Sequence, residues 1–322
     1  MKPIKIVKNR SDIGAGTRGS DMGIDALEIA AINAGNNYFK QFPFLDVPTH
    51  NESVYDKVRV RFAKRITHVA EQCQRVSDAV KGCMDDGFFP IVLSGDHSSA
   101  LGTISGVKAH APEKRLGVVW IDAHADLHSP YTTPSGNVHG MPLAAAIGLD
   151  NMEYRANEVT KVTVEQWERL KNIGTPGQKL RPEDLIFFGV RDTEPAEDML
   201  IDTLGIRNYK VEEIRFRGLQ KCLQEALDQL SECDHIYISF DVDSLDCDLI
   251  SRGTGTPVSK GFDPAEVESI INWLIESEKV ACLEVTEINP LLDNQGNKMA
   301  ETAFQVLDAV TARLVPSAMG AS

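Results

Sequence analysis

The chain has 322 residues, 42% apolar and 25% charged; this supplies a large core and excludes a disordered or fibrous class. Its formal net charge of −14 excludes nucleic acid and anionic membranes as partners and favours a small cationic one. Six scattered cysteines without a CxxC pair, and no apolar stretch long enough to span a bilayer, predict a reduced, cytoplasmic protein, read as one domain over 1–322.

Residues 3–7 read as a first strand. The run Gly14-Ala15-Gly16-Thr17-Arg18-Gly19 follows, then a helix near 23–36. The glycines fit a GxGxxG spacing, but Asn9-Arg10-Ser11-Asp12 reads as loop and no strand immediately precedes Gly14. The run therefore predicts a tight loop near a site mouth rather than a dinucleotide cradle. A long amphipathic helix is expected over 57–86. Strands are then expected near 88–93, 117–121, 184–190, 207–210, 236–240 and 280–285. Helices are expected near 98–109, 141–148, 163–171, 195–203, 213–231, 264–277 and 299–313. Such alternation predicts a parallel sheet covered by helices on both faces.

Three of the apolar runs end abruptly in acids and histidines. Phe88–Leu93 leads into Ser94-Gly95-Asp96-His97. Leu116–Ile121 leads into Asp122-Ala123-His124-Ala125-Asp126. Ile236–Phe240 leads into Asp241-Val242-Asp243. A fourth run, Val280–Leu283, leads to Glu287-Ile288-Asn289-Pro290. Carboxylates crowded at one sheet edge repel one another unless a cation collects them. Alternate residues of an extended chain share a side, so Asp122, His124 and Asp126 can ligate together, as can Asp241 and Asp243. With His97 this makes four carboxylates and two imidazoles, too many for one tetrahedral zinc and suited to two hard divalent ions. The high oxygen content favours Mn²⁺ over Zn²⁺.

Each of these residue types also has an ordinary reading. An aspartate after a strand is commonly a helix N-cap, and Asp96 is read so. His50, His68, His110 and His235 are read as packed or surface residues, whereas His97, His124, His128 and His139 fall inside or beside the acidic clusters. Cys247 is read as a bystander thiol. The polar run Thr132–Gly140 reads either as a flexible loop or as a rim of hydroxyls and amides around a substrate, with His139 available for proton transfer. Glu287 could hold a planar cation by paired hydrogen bonds.

Together these motifs resemble those of the arginase family of ureohydrolases. Ser94-Gly-Asp-His97 is similar to the family's Gly-Gly-Asp-His. Asp122-Ala-His-Ala-Asp126 and Ser239-Phe-Asp-Val-Asp-Ser-Leu-Asp246 match its second and third metal motifs. Ser135-Gly-Asn-Val-His-Gly-Met-Pro142 resembles the loop of arginases proper, and Gly253-Thr-Gly-Thr-Pro257 and Glu287-Ile-Asn-Pro290 also match. The resemblance implies a three-layer α/β/α fold with an eight-stranded, mostly parallel sheet, and two Mn²⁺ per chain. One ion would take His97, Asp122, Asp126 and Asp241, the other Asp122, His124, Asp241 and Asp243. A hydroxide between them would attack, oriented by Asp126. His139 would protonate the leaving amine and Glu287 would hold the guanidinium. His128, Thr133, Ser135, Asn137, Asp192, Glu194 and Thr256 would bind the rest of the substrate. A homo-oligomer, trimer or hexamer, is implied as well.

Two positions depart from the arginase pattern. His128 stands where the family has an asparagine for the substrate's α-carboxylate. Glu194, in Arg191-Asp-Thr-Glu-Pro195, stands where it has an aspartate for the α-amino group. Cys247 also replaces a usual proline. The leading expectation is hydrolysis of L-arginine to L-ornithine and urea. Its competitors are a ureohydrolase for another guanidino substrate such as agmatine, a formiminoglutamase, a single-zinc deacetylase relative, and a non-catalytic metal-binding scaffold.

Overall fold

The computed structural model describes residues 2–315, and in them the short β-branched runs become eight strands. These are β1 (Ile4–Asn9), β2 (Phe44–Asp46), β3 (Phe89–Ser94), β4 (Leu116–Ile121), β5 (Leu185–Phe188), β6 (Arg207–Tyr209), β7 (His235–Asp241) and β8 (Val280–Thr286). Their order in the sheet is β2-β1-β3-β8-β7-β4-β5-β6, and every pairing is parallel. All carboxyl ends therefore lie along one edge, where open α/β sheets place their ligands. The four acid-tipped strands, β3, β8, β7 and β4, are consecutive at the centre of the sheet. The eight-stranded expectation holds, with a fully rather than mostly parallel sheet.

The sheet is buried on both faces. Along β4, Leu116, Val118 and Trp120 pack on one side among side chains of helices Ile66–Asp85, Ala100–His110, Pro142–Ile147 and Lys161–Lys171. Val119 and Ile121 pack on the other, among those of helices Gly23–Asn33, Leu219–Gln229, Pro264–Ile275 and Lys298–Leu314. The three-layer arrangement follows from this period-two alternation inside runs apolar on both faces.

Two expected elements differ, and one strand was not expected. The helix expected from 57 begins only at Ile66, where the buried series Ile66, Val69, Ala70, Cys73, Val76 and Val80 starts. Before it, Val58 is exposed, Arg65 takes a left-handed φ of 55°, and the Lys64 N–H donates to the Gly136 carbonyl. The helix expected over 213–231 is two, Val211–Arg217 and Leu219–Gln229, broken at Gly218 with φ 93°. β2 carries no sequence signal, being three exposed residues on an edge. Among the described residues, no helix is long and apolar enough to cross a membrane.

Candidate active site

The turn after β3 is set by a close backbone crossing. The Gly95 N–H donates to Asn9 O (3.0 Å), the Asp96 N–H to Ser11 O (3.0 Å), and the Gly95 carbonyl accepts from the Glu287 N–H (2.9 Å). A Cβ on Gly95 would lie 2.2 Å from Ser11 O, so only glycine fits. Asp96 is a cap, as expected: its carboxylate accepts from the N–H groups of Ser98 (2.8 Å) and Gly14 (2.9 Å). The next residue, His97, is projected into the acidic cluster.

Its Nδ1 lies 3.0 Å from Asp122 Oδ2, 3.0 Å from Asp241 Oδ2 and 3.2 Å from Asp126 Oδ2. His124 Nδ1 lies 2.9 Å from Asp243 Oδ2 and 3.5 Å from Asp122 Oδ1. Backbone donors aim these carboxylates. Asp122 Oδ1 accepts from the His124 N–H (2.7 Å), Asp241 Oδ1 from the Asp243 N–H (2.8 Å), and Asp243 Oδ1 from the Ala123 N–H (3.1 Å). The Thr256 hydroxyl donates to Asp243 Oδ2 (2.9 Å). The six side chains thus form two overlapping donor groups, His97–Asp122–Asp126 and Asp122–His124–Asp243, which share Asp122; Asp241 adjoins His97.

This donor set fits a pair of divalent cations. His97 Nδ1 and Asp122 Oδ2 are buried without a hydrogen-bond partner, although three carboxylate oxygens crowd the imidazole nitrogen. Such groups are stable only if positive charge is supplied between them. The proton affinities register the same demand. Burial, then the Asp122 charge, pushes Asp126 up to about 6. Burial, Asp243 and Asp122 hold Asp241 well above the carboxylate range. Burial opposes a charge on His97, but Asp122, Asp126 and Asp241 outweigh it and raise its pKa well above the ordinary value.

Glu287 follows β8 and lies beside this cluster. One oxygen, Oε1, is 3.0 Å from His139 Nδ1 and accepts the His97 N–H at 2.9 Å; the other, Oε2, is buried with no partner. Burial works against the His139 imidazolium, but Glu287 overrides it, and the pKa rises to about 9. Asp126 (φ 50°) and Glu287 (φ 66°) are both non-glycine residues in the left-handed region, a strain that clusters at functional sites.

The remaining expected residues line the same cavity, of about 260 Å³: His128, Thr133, Ser135, Asn137, Asp192, Glu194 and Thr256, with His97, His124, Asp126, Asp241 and Asp243 at its floor. The Thr133 and Ser135 hydroxyls accept from the Gly136 and Asn137 N–H groups, which fixes the loop. His128 Nε2 lies 2.9 Å from Glu194 Oε2 and 3.5 Å from Glu197 Oε2, and its Nδ1 is 3.1 Å from the Thr132 hydroxyl. The His128 contact draws the Glu194 carboxylate below its usual range. Asp192 Oδ2 is 3.6 Å from His124 Nε2.

Glu197 was not anticipated. It closes a capping box on helix Pro195–Leu204 and accepts the Leu127 N–H (3.0 Å), and burial raises its pKa to about 8. Its available signal was the Glu-Pro-x-Glu spacing of 194–197. The glycine-rich loop lies at the site as expected: the Gly14 carbonyl accepts the His139 N–H, and a Cβ on Gly16 would strike the Asn137 amide. His50 and His68 form a half-buried surface group with Glu71, and the Arg75 guanidinium lies against His50. The six cysteines are free and buried; Cys247 lies outside the two donor groups of the central cluster, beside Asp246 and Asp248, its Sγ 3.7 Å from the Ser259 hydroxyl.

The sequence profile described as the Arginase family matches residues 3–312. The arginase of Brevibacillus brevis is 34% identical over 316 residues, with 96% of this chain and 97% of that one covered. The native structure of arginase from Bacillus caldovelox superposes with a TM-score of 0.83 at 33% identity, covering 96% and 98% of the two chains. Arginase from Entamoeba histolytica, solved in complex with L-ornithine, gives 0.82 at 26% identity, with 96% and 98% covered. The chain therefore belongs to the arginase family of hydrolases, which act on carbon–nitrogen bonds of linear amidines.

Proposed function

We propose that this chain hydrolyses L-arginine to L-ornithine and urea, with two Mn²⁺ per chain held by His97, Asp122, His124, Asp126, Asp241 and Asp243. The observation that carries the reading is the free, buried Oε2 of Glu287 beside the imidazole of His139. A guanidinium is planar, permanently charged and a poor electrophile. Glu287 offers it a carboxylate whose other oxygen is already fixed. The bound cations would supply an ionised water near neutral pH and a field that stabilises developing negative charge.

The chain's own residues do the remaining work. Asp126, held in its left-handed conformation, orients the attacking water. His139 keeps its proton up to about pH 9 and delivers it to the departing nitrogen, which cannot leave as an anion. Buried carboxylates attract the cationic substrate and exclude anions. At the open end, Ser135 and Asn137 face the carboxylate of the amino acid and Glu194, with Asp192, its ammonium. The Entamoeba relative, solved in complex with L-ornithine, supports an amino-acid substrate. Mn²⁺ suits the oxygen-rich ligand set. Assembly as a trimer or hexamer in the cytoplasm belongs to the same reading.

One observation favours a second guanidino substrate. The open end carries the exposed carboxylates of Asp192 and Glu194, and neither lysine nor arginine lines the cavity. That balance suits a substrate ending in an amine without a carboxylate, such as agmatine. The test is urea release by Mn²⁺-loaded protein from L-arginine and from agmatine. Arginine turnover with little from agmatine supports the proposal. The reverse replaces the substrate and keeps the chemistry. Release from neither removes both substrates and leaves another guanidino acid, formiminoglutamate or a non-catalytic scaffold, which turnover of those compounds separates.

A further inference from the structure

The open end of the cavity lacks a counter-charge of its own. Its wall carries Asp192 and Glu194 and neither lysine nor arginine, yet an amino-acid substrate brings a carboxylate as well as an ammonium. A cation stands one side chain behind that wall. Lys64 is half-buried, and its Nζ donates to Asn137 Oδ1 at 2.9 Å. Among the described residues it has no carboxylate partner.

Lys64 belongs to the segment ahead of helix Ile66–Asp85, which braces the rim loop from outside. The Lys64 N–H donates to Gly136 O at 2.8 Å, and Arg65 Nη1 reaches Ile13 O at 3.4 Å. Gly136, at φ 76°, is held so close that an added Cβ would lie 2.0 Å from Arg61 O. The loop is therefore tied down by backbone contacts, and the Lys64 ammonium is not needed for that.

What the ammonium does is decide which end of the Asn137 amide faces outward. An ammonium only donates, so the amide oxygen must turn to Lys64 and the NH₂ group away from it. On that side Nδ2 lies over Gly16, where an added Cβ would come within 2.4 Å of it. Asn137 lines the cavity, and among the described residues its Nδ2 donates to no protein atom. Without Lys64 the amide would be free to turn its oxygen outward, and that oxygen repels a carboxylate. The ammonium also polarises the amide it bonds, which strengthens the N–H donors, and its charge acts across several ångströms in a half-buried setting.

We infer that Lys64 is a positioning residue for specificity: it locks the Asn137 amide with its donors outward and so selects guanidino substrates that carry a carboxylate. The inference rests on the proposed function in taking the open end as the seat of the amino-acid head group.

The test is steady-state urea release by Mn²⁺-loaded protein from L-arginine and from agmatine, which is arginine without its carboxylate. Where agmatine turnover is too slow to follow, agmatine is read as a competitive inhibitor of arginine turnover. The proteins are the parent, Lys64→Met, Lys64→Arg and, as a charge control from the exposed start of the same segment, Lys57→Met. Lys64→Met keeps the backbone tether. It should raise KM for L-arginine about tenfold, with kcat within about twofold of the parent. The agmatine constant should stay level or fall, because removing a cation does not disfavour a dication. Lys64→Arg should bring the arginine KM back close to the parental value, and Lys57→Met should leave the ratio of the two constants unchanged. A parental arginine KM in Lys64→Met overturns the inference and leaves the proposed function standing. So does an equal rise for both compounds, which a loosened loop would cause, and so does an equal shift in Lys57→Met, which a general charge effect would cause. A parent that releases no urea from arginine overturns both.

Discussion

His139 and Glu287 are joined through a single carboxylate oxygen, which also accepts the backbone N–H of His97. The pair thus couples the proton donor, the free oxygen for the guanidinium and the backbone of a metal ligand. His139→Ala should lower kcat about 10²- to 10⁴-fold while metal content stays at two ions per chain. Glu287 raises the His139 pKa to about 9 against the burial that opposes it. The donating imidazolium is therefore present below about 9 and lost above, so kcat should fall on that alkaline limb. The limb should vanish in His139→Ala; its persistence there would assign it to another group.

The metal cluster predicts a separate acid effect. Burial and Asp122 raise Asp126 to about 6, so below that pH a cation must displace a proton from it. Affinity for the ion nearest His97 and Asp126 should fall by a further factor of about ten per pH unit below that point, because each binding event then releases one proton more than His97 and Asp241 already give up. Calorimetric Mn²⁺ titrations at pH 7.5 and 5.0 read this directly. Asp126→Asn should bind that ion weakly at both values and lose the added slope, keeping only the part that His97 and Asp241 contribute. Equal slopes in parent and variant would place the titrating group elsewhere.

How much of this was legible in the sequence follows from where each residue sits. His97, Asp122, His124, Asp126, Asp241, Asp243 and Glu287 follow central parallel strands closely. Strand periodicity and the shared edge were enough to bring them together. Ser239, Tyr237 and Glu284 lie inside β7 and β8, where a polar residue in an apolar run has no reading until register is known. Glu197 acts through the backbone of Leu127, some 70 positions earlier in the chain, and no local pattern reports such a crossing. The helix expected over 57–86 failed at its start because the amphipathic period did not reveal that Lys64 is tied to the 136 loop.

The His128–Glu194 contact predicts how the open end discriminates. In the free protein the 2.9 Å bond between them holds the carboxylate in place and draws its pKa down. Glu194→Gln removes the charge that would meet a substrate ammonium while preserving shape. We expect KM for L-arginine to rise about 10- to 100-fold, the size of one charged hydrogen bond, with kcat nearly unchanged, the signature of lost uniform binding. His128→Asn should weaken arginine binding less, since Ser135 and Asn137 remain. Steady-state urea assays on both variants decide it. A collapse of kcat in Glu194→Gln would instead make this end part of the chemistry.

Two glycines predict opposite signs for the same substitution. At Gly95 an added Cβ would come within 2.2 Å of the Ser11 carbonyl oxygen. Backbone cannot swing aside as a side chain can, and the Asp96 N–H bond to that oxygen ties the two segments together. Gly95→Ala should cost about 3 kcal/mol, the upper end of ordinary overpacking, or a fall of about 4 °C in Tm for a chain of this size. Because His97 lies two residues on, Mn²⁺ affinity should fall as well. At Gly82, inside helix Ile66–Asp85, an added Cβ meets nothing within 4 Å. There the helical backbone suits alanine, and Gly82→Ala should stabilise by about 0.5–1 kcal/mol, with metal affinity unchanged. Scanning calorimetry of the loaded proteins gives both signs. Matching shifts in the two variants would mean that the crossing at Gly95 relaxes freely and does not fix the position of His97.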